Sequence, residues 1–399
     1  MKYVLVLGDG MADEPIEALN GSTPLHSADT PCMDELAPKS EIGLVHTIPK
    51  GMSPGSDTAN LAVLGYNPEK YYTGRSPLEA LSIGVDMKTT DIALRCNIVT
   101  VSEEEDYEHK TIIDHSASEI STEEAAVLLE AVRKELENET YKFYVGTSYR
   151  HLTIWNCGKV VALTPPHDIL GKVIGSYLPT ESALKEMMKR SFDILNSHPI
   201  NIERARKGLN KANSIWFWGA GTRPALDSFE EKTGKRGVMI SAVDLLKGIA
   251  IGSGMKVIQV EGANGTLHTN YEGKAKAAVK ALLEDGYDFA YVHVEAPDEM
   301  GHQGSMERKI QAIEYLDSRV IKVIKEDMEQ AGQEYRMLVL PDHPTPIACR
   351  THTSDPVPYM LYDNTNPQKN KQLYNEKEAA TTGYVFKEGY TLIDYLLDK

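Results

Sequence analysis

The sequence predicts an α/β protein whose main sheet is mostly parallel and flanked by helices, with a separate α+β unit inserted in the chain. Predicted strands at 4–7, 289–294 and 336–340, all mainly apolar, alternate with stretches of helical periodicity, as parallel strands joined by crossover helices do. Between about residues 91 and 236 the pattern changes to strands grouped with amphipathic helices. An acidic side chain follows each of the three apolar runs, and ligands of open α/β sheets gather at the carboxyl ends of strands.

The elements that follow the first strand support this fold. A helix begins at Pro31, since proline fits the first turn of a helix, and a second strand is predicted at 42–48. Gly55 permits a tight turn, and residues 56–64 have helical character. Ser56 therefore falls at a helix N-terminus. There it either caps the helix or acts as a nucleophile whose phosphorylated form the helix stabilises.

The remaining elements separate the inserted unit from the returning α/β pattern. A capping-box signal, Ser121 with Glu124 three residues later, begins an amphipathic helix. In the inserted segment the predicted strands are 92–101, 142–146, 152–155 and 214–218, and the predicted helices are 121–137, 181–195 and 228–232. After it the predicted strands are 238–240, 256–260, 289–294 and 336–340, and the predicted helices are 271–284 and 305–330.

Charge and composition exclude several classes of protein. The net charge of −16 argues against a nucleic-acid partner, because phosphate binding needs a basic surface. No apolar run approaches the ~20 residues that a transmembrane helix needs. The short apolar run at the N-terminus is typical of a buried strand and not of a signal peptide. We therefore expect a cytoplasmic protein of two domains without a membrane partner, and the sequence gives no oligomeric state.

Carboxylates and imidazoles late in the chain form a candidate metal site. Asp298 and His302 are four residues apart, so a helical turn places both on one side. Asp342 and His343 follow an apolar run at the predicted end of a strand, and His352 comes shortly afterwards. Mixtures of carboxylate and imidazole suit Mn²⁺ or Zn²⁺ better than Ca²⁺ or Mg²⁺.

Asp9 and Ser56 fit the same chemistry if the site transfers a phosphoryl group. A serine hydroxyl is protonated at neutral pH, and a metal bound to its oxygen lowers its pKa. A second metal ~4 Å away can stabilise the leaving oxygen. Two metals need about six or seven protein ligands, which matches the candidates. The alternatives are one structural metal or none, with Asp9 simply closing a turn.

Five segments resemble the motifs of archaeal-type cofactor-independent phosphoglycerate mutases, a branch of the alkaline phosphatase superfamily. In the family's order they are Gly8-Asp9-Gly10, Pro54-Gly55-Ser56-Asp57-Thr58-Ala59-Asn60, Pro297-Asp298-Glu299-Met300-Gly301-His302, Pro341-Asp342-His343 and Thr351-His352-Thr353 followed by Pro356-Val357-Pro358. The resemblance covers almost the whole chain. It implies an alkaline-phosphatase-like core at about 1–87 and 238–399, with an inserted substrate-binding cap at 88–237.

The resemblance also implies a site and a reaction. Two divalent metal ions, Mn²⁺ or Zn²⁺, would be bound, one by Asp298, His302 and His352 and the other by Asp9, Ser56, Asp342 and His343. Ser56 would be the nucleophile that transiently carries the phosphoryl group. The substrate would be a small phosphorylated molecule, since the family interconverts 2-phosphoglycerate and 3-phosphoglycerate without 2,3-bisphosphoglycerate.

A glycerate carboxylate calls for arginine side chains on the cap. The candidates are Arg95, Arg150 with its neighbour His151, Arg223 and, outside the predicted cap, Lys247. Each of them has the alternative of an ordinary surface or structural side chain. A substrate that reorients without escaping also needs a cap that moves, and residues 86–90 and 234–237 are the candidate hinges.

One stretch departs from the resemblance. Archaeal mutases resemble one another in an arginine-rich stretch after the first strand of the cap, whereas residues 114–119 contain no arginine. The beginning of the chain also resembles a bacterial subgroup proposed to phosphorylate homoserine. A homoserine-type acceptor, whose ammonium group Asp114 or Glu119 would bind, is therefore the alternative function. A binding protein that has lost turnover is a third possibility.

Overall fold

The computed structural model describes residues 1–397 as strands and helices joined mostly by short loops. The strands are β1 Lys2–Gly8, β2 Ser40–Val45, β3 Ile92–Val101, β4 Ile112–Asp114, β5 Tyr141–Thr147, β6 Arg150–Trp155, β7 Ser214–Thr222, β8 Gly237–Ile240, β9 Lys256–Val257, β10 Phe289–Val294, β11 Tyr335–Leu340, β12 Val357–Asp363 and β13 Val385–Phe386. The helices are α1 Pro24–Ser27, α2 Pro31–Leu36, α3 Ser56–Val63, α4 Pro68–Tyr71, α5 Arg75–Ser82, α6 Thr122–Leu136, α7 Ser182–Leu195, α8 Pro199–Arg206, α9 Phe229–Thr233, α10 Asp244–Gly252, α11 Tyr271–Leu283, α12 Ala296–His302, α13 Met306–Leu316, α14 Lys322–Gln330, α15 Glu376–Thr381 and α16 Leu392–Leu396.

The chain divides into two compact units, one formed by Met1–Tyr72 with Ala225–Lys399 and the other by Thr73–Pro224. The first unit contains one sheet in the strand order β13-β2-β12-β11-β1-β10-β8-β9. All neighbouring strands are parallel except β12, which runs antiparallel to both β2 and β11. The predicted α/β class with a mostly parallel sheet is confirmed.

The register of the three central strands positions the residues that follow them. Leu7 of β1 is paired with His293 of β10 on one side and with Leu340 of β11 on the other. The residues of β1, β10 and β11 are almost all buried, and their apolar side chains pack against helices that include α11 and α13. Because the strands are parallel and in step, the segments after them emerge at the same edge of the sheet.

The second unit is an antiparallel sheet with helices on its faces. Strand β3 is paired with β6 and β7, and β4 and β5 extend the sheet on either side. Apolar residues of α6 and α7, such as Leu128 and Leu184, belong to a core shared with Cys96 of β3. The α+β character predicted for the inserted unit agrees with this arrangement.

The unit boundaries differ from the predicted ones at 87/88 and 237/238, which lie further along the chain. Helix α5 belongs to the second unit because Ala80 packs with Ala93 and Leu152 of its sheet. At the other junction, Phe229 of α9 lies with its ring 5.0 Å from Phe289 of β10, which anchors α9 in the first unit. The boundaries follow these apolar contacts, which the periodicity of the sequence does not reveal.

The helix predicted at 305–330 is α13 and α14 joined by a π-helical segment, Asp317–Ile321. Asp317 is fully buried there, and its carboxylate accepts hydrogen bonds from the backbone N–H groups of Cys32 and Met33 at the start of α2. The elements that were not predicted include helices α1, α4, α5, α8, α10, α15 and α16 and strands β4, β12 and β13. Within residues 1–397, no helix has both the length and the apolar character needed to cross a bilayer.

Candidate active site

Side chains from the ends of β1, β10 and β11 meet at the edge of the first sheet. The ligand atoms of Asp9, Asp342 and His343 lie within 4.8 Å of one another, and so do those of Asp298, His343 and His352. Asp9, Asp298, Asp342 and His343 are each less than a tenth exposed. The structure therefore brings together residues from four separate sequence motifs, with His343 common to both groups.

His302 joins this cluster from α12. Its Nε2 atom lies 3.2 Å from Asp298 Oδ2 and 3.0 Å from His352 Nε2. Its Nδ1 atom lies 2.9 Å from the carbonyl oxygen of Arg350, so Nδ1 carries a proton and donates a hydrogen bond to that oxygen. The four-residue spacing within α12 thus places Asp298 and His302 side by side, with Nε2 of His302 facing the cluster.

Ser56 is the first residue of α3 and faces His343. The N-cap is Gly55, which has no side chain to bond the helix N–H groups. The hydroxyl of Ser56 lies 3.1 Å from His343 Nε2. The capping alternative for Ser56 is therefore wrong, and its hydroxyl lies among the candidate metal ligands.

Asp9 provides the test of whether a divalent cation fits the cluster. Its Oδ2 atom is 2.9 Å from Nε2 of His293, but its buried Oδ1 atom has no hydrogen-bond partner among the described residues. Burial, reinforced by the nearby carboxylates of Asp342 and Asp298, raises the pKa of Asp9 well above its usual range. A buried oxygen that lacks a partner, surrounded by carboxylates and imidazoles, fits a divalent cation.

The Asp298 side of the cluster has the opposite electrostatic character. Burial opposes ionisation of Asp298, but hydrogen bonds from His302 and His352 outweigh it and hold the pKa of Asp298 well below its usual range. The same hydrogen bond to Asp298 raises the pKa of His302 to about 9. Burial lowers the pKa of His343, which favours a neutral imidazole. A neutral imidazole is the form that binds a metal.

Three residues whose side chains contact side chains of the candidate ligands were not predicted from the sequence. Asn60 Nδ2 donates to Asp342 Oδ2 and to the Ser56 carbonyl, both at 2.8 Å. His293 contacts Asp9, and Thr345 donates a hydrogen bond to Asp298. His293 could have been recognised from the sequence, because it is a titratable residue inside an otherwise apolar strand. Thr345, between two prolines, is indistinguishable from an ordinary loop residue.

The predicted substrate-binding arginines lie in the second unit in different surroundings. Arg95 is 7% exposed, and its Nε and Nη2 atoms donate to both carboxylate oxygens of Glu79 at 2.9 and 2.8 Å. Its guanidinium also lies 4.4 Å from the ring centre of Trp218. Arg150 and Arg223 are exposed. Arg95 thus has an internal carboxylate partner, whereas Arg150 and Arg223 present their side chains to solvent.

Lys247 belongs to the first unit. It lies on α10, a helix that contacts α3, and its Nζ atom is 3.1 Å from Asp244 Oδ1 one turn earlier. Its side chain is about one fifth exposed, at 20%. The ammonium group of Lys247 is therefore carried by a helix packed against the one that bears Ser56.

His151 is buried in the second unit, with its Nδ1 atom accepting a hydrogen bond from the backbone N–H of Gly146 at 3.1 Å. Its Nε2 atom is buried without a hydrogen-bond partner among the described residues. Burial lowers the pKa of His151 to about 4. The neutral form is therefore strongly preferred in the folded unit.

We expect His151 to make the protein less stable in acid. The unfolded chain takes up a proton near the usual pKa of 6.5, whereas the folded chain resists protonation down to about 4. Stability should therefore fall as the pH drops through this window, by about 3 kcal/mol in total. Denaturant unfolding at pH 7 and pH 4 should show a smaller loss in His151→Asn, whose amide oxygen can replace Nδ1 as acceptor. An equal loss in both proteins would contradict the assignment.

Asp114 was a candidate for binding an ammonium group in the arginine-free stretch. Its carboxylate accepts hydrogen bonds from the backbone N–H groups of Ser116 and Ser118 and from the side chain of Asn210. Burial opposes ionisation of Asp114, but these hydrogen bonds outweigh it and lower its pKa to about 2. Both carboxylate oxygens are therefore occupied in holding this loop.

Comparison with known proteins gives one family. The family model of 2,3-bisphosphoglycerate-independent phosphoglycerate mutase matches residues 37–201. The chain is 48% identical to the protein of that name from Methanosarcina barkeri over 96% of both chains. It is also 47% identical, over the full length of both, to the probable 2,3-bisphosphoglycerate-independent phosphoglycerate mutase of Geobacter sulfurreducens.

Solved structures give a matching fold. A protein from Pyrococcus horikoshii is 30% identical with a TM-score of 0.83, over 100% of this chain and 96% of that one. The cofactor-independent phosphoglycerate mutase of Thermoplasma acidophilum is 26% identical with a TM-score of 0.67, over 100% and 99% of the two chains. The similarity extends over both units and is not confined to the site.

Proposed function

The chain belongs to the 2,3-bisphosphoglycerate-independent phosphoglycerate mutase family, and from this premise we propose that it interconverts 2-phosphoglycerate and 3-phosphoglycerate through phosphorylated Ser56. The observation that carries the proposal is the 3.1 Å approach of Ser56 Oγ to His343 Nε2 within a cluster of buried carboxylates and imidazoles. The named relatives favour this reaction over a homoserine acceptor. A cytoplasmic location is part of the same proposal.

The chain's own groups account for how Ser56 is presented. The start of α3 supplies backbone N–H groups and the positive end of the helix dipole, both of which stabilise a phosphoryl group on Ser56. Asn60, one turn further on, donates to the Ser56 carbonyl and to Asp342 and so ties the helix to the carboxylate cluster. The nucleophile is thereby held on a rigid helix and not on a mobile loop.

The reaction consists of two successive transfers of one phosphoryl group, first to Ser56 and then back to the glycerate. In the first, Ser56 Oγ forms a bond to phosphorus, the bond from phosphorus to the substrate oxygen breaks, and that oxygen gains a proton as Ser56 loses one. In the second, the other hydroxyl of the same glycerate loses its proton and forms a bond to phosphorus, the bond from phosphorus to Ser56 Oγ breaks, and Ser56 Oγ regains a proton. No bisphosphate is needed, because the phosphoryl group that Ser56 returns to the glycerate is the one that it took from the substrate.

We propose two metal ions, Mn²⁺ or Zn²⁺, held by the residues that the family resemblance indicated. Asp298, His302 and His352 would hold one, and Asp9, Ser56, Asp342 and His343 the other. When bound, such ions lower the pKa of a coordinated hydroxyl and neutralise phosphoryl oxygens. The unpartnered Oδ1 of Asp9 supports this assignment, as does the position of His343 within reach of both groups.

For the glycerate carboxylate we propose Arg150 as the partner in the second unit, since Arg95 is already paired with Glu79. Replacing Arg150 by alanine should raise KM for 3-phosphoglycerate about 10- to 100-fold, because a charge-assisted hydrogen bond is lost. Initial-rate kinetics measure the change. Arg133→Ala is the control, since Arg133 pairs only with helix neighbours Glu130 and Glu137 among the described residues. An unchanged KM in Arg150→Ala would remove Arg150 from the binding site.

A coupled enolase assay tests the proposed reaction. Metal-stripped protein receives 3-phosphoglycerate with and without Mn²⁺, in the absence of 2,3-bisphosphoglycerate. We expect formation of 2-phosphoglycerate only when Mn²⁺ is present. Absence of product from protein shown to bind Mn²⁺ would refute the mutase activity, and phosphoryl transfer to homoserine would then be measured in its place.

A further inference from the structure

Thr345 contacts ligands of both metal groups through one hydroxyl. Its Oγ1 atom donates a hydrogen bond to Asp298 Oδ1 and lies 3.3 Å from His343 Nδ1. Thr345 is fully buried. The other two unpredicted residues, Asn60 and His293, each reach the carboxylate of only one group. Thr345 is therefore placed to fix the position of one ligand relative to the other.

The protons of this contact can be assigned by counting donors. An ionised Asp298 only accepts hydrogen bonds, so the single hydroxyl proton of Thr345 points to it. The oxygen of Thr345 is then left as an acceptor for Nδ1–H of His343. This tautomer leaves the lone pair of the His343 Nε2 atom directed toward the cluster, where Ser56 Oγ is 3.1 Å away.

The surrounding backbone is shaped around Thr345. A Cβ atom at Gly10 would lie 2.4 Å from Thr345 Oγ1, and one at Gly301 would lie 2.6 Å from the Thr345 carbonyl oxygen. Both glycines therefore make room for this residue. Lys309, which is fully buried, donates to the same carbonyl at 2.9 Å and to the Ala12 carbonyl at 3.1 Å.

Lys309 thereby joins the loop after β1 to the loop after β11. The backbone N–H of Thr345 also donates to the Ala12 carbonyl, at 3.2 Å, and strengthens the same junction. The ammonium of Lys309 is neutralised by Asp13, whose Oδ2 atom is 2.8 Å away. Thr345 is thus anchored through its backbone on both sides, and its hydroxyl has a fixed position with respect to the ligands.

We propose that Thr345 is a positioning residue that orients Asp298 and His343 for the metal ions of the proposed function. Loss of a group that orients metal ligands typically weakens metal binding by about 10- to 100-fold. Thr345→Val keeps the shape of the side chain and removes the hydroxyl. Thr345→Ser keeps the hydroxyl and removes a methyl group, so it should restore what valine loses.

The test is titration of metal-stripped protein with Mn²⁺ followed by electron paramagnetic resonance. We expect Thr345→Val to bind Mn²⁺ about 10- to 100-fold more weakly than the wild type, and Thr345→Ser to remain within a few-fold of it. Thr353→Val is the matched control, because the hydroxyl of Thr353, beside His352, is buried without a hydrogen-bond partner among the described residues. It should bind Mn²⁺ as the wild type does.

The outcomes separate this inference from the proposed function on which it rests. If the wild type binds no Mn²⁺, the metal site of the proposed function fails and the Thr345 inference fails with it. If the wild type binds Mn²⁺ and Thr345→Val binds it equally well, only the role of Thr345 is overturned. Equal weakening in valine and serine variants would also overturn it, because the hydroxyl would then not be the group responsible.

Discussion

Replacing Ser56 by alanine should abolish the interconversion of phosphoglycerates while leaving the protein folded. Removal of a nucleophile that no other group replaces costs on the order of 10⁴-fold or more in kcat. The structural cost is small, since the Ser56 hydroxyl makes one hydrogen bond, to His343, and the side chain is half-buried. We expect a change of no more than about 1 kcal/mol in the free energy of unfolding.

Two measurements distinguish a missing nucleophile from a damaged site. The wild type incubated with 3-phosphoglycerate and stopped in acid should contain protein heavier by one phosphoryl group, located on Ser56 by peptide mass spectrometry. The alanine variant should contain none. Ser53→Ala is the control, because Ser53 lies three residues earlier and is exposed. This variant should retain full activity. Substantial turnover by Ser56→Ala would eliminate the phosphoserine mechanism.

The sheet was largely predictable because burial leaves a simple pattern. Strands β10 and β11, at the centre of the sheet, are apolar except for one residue each, His293 and Arg336, and such runs are typical of parallel strands covered on both faces. The reversed direction of β12 was not predictable, since strand direction depends on the connection and not on periodicity. Helix α5 was missed because its N-cap, Gly74, provides no side-chain capping signal.

Part of the candidate site was predictable from residue type and spacing. Asp342 and His343 directly follow a predicted strand, so the alternation of strands and helices was enough to predict their position at the edge of the sheet. The partners of these ligands were not predictable in the same way. Asn60 and Thr345 are common residue types whose roles arise only when β11 is placed against α3 and α12. Arg95 was a candidate substrate ligand because it lies on the predicted cap. Its pairing with Glu79 was not predictable, since Glu79 lies on a helix that was not predicted.

Asp9→Asn should inactivate the enzyme and at the same time stabilise the metal-free protein. Asparagine has the same shape as aspartate, so its Oδ1 atom can accept the hydrogen bond that His293 donates to Asp9. Its amide group would take the place of the buried oxygen that has no partner and could donate toward Asp342. The substitution therefore satisfies a buried polar position and removes a carboxyl group whose ionisation is opposed by burial and by the carboxylates of Asp342 and Asp298.

The expected magnitudes follow from these changes. Loss of a carboxylate ligand should reduce kcat/KM by on the order of 10³-fold or more. Removing an unsatisfied buried group should raise the unfolding free energy of the metal-free protein by about 1–3 kcal/mol. Denaturant unfolding in the presence of a chelator measures this gain. Added Mn²⁺ should stabilise the wild type by about 3 kcal/mol for each site at a hundredfold excess over Kd, and Asp9→Asn by clearly less.

Asp13→Asn provides a control on the same loop with the opposite expectation. Asp13 is buried and paired with Lys309 at 2.8 Å, so removing its charge leaves a buried ammonium group without the carboxylate that balances its charge. Breaking a buried pair in this way costs about 3–5 kcal/mol. If Asp9 were an ordinary structural acid, its asparagine variant would also be destabilised. A gain in stability together with lost activity is expected if the fold leaves the Oδ1 atom of Asp9 unsatisfied for a cation, and a loss of stability would contradict that role.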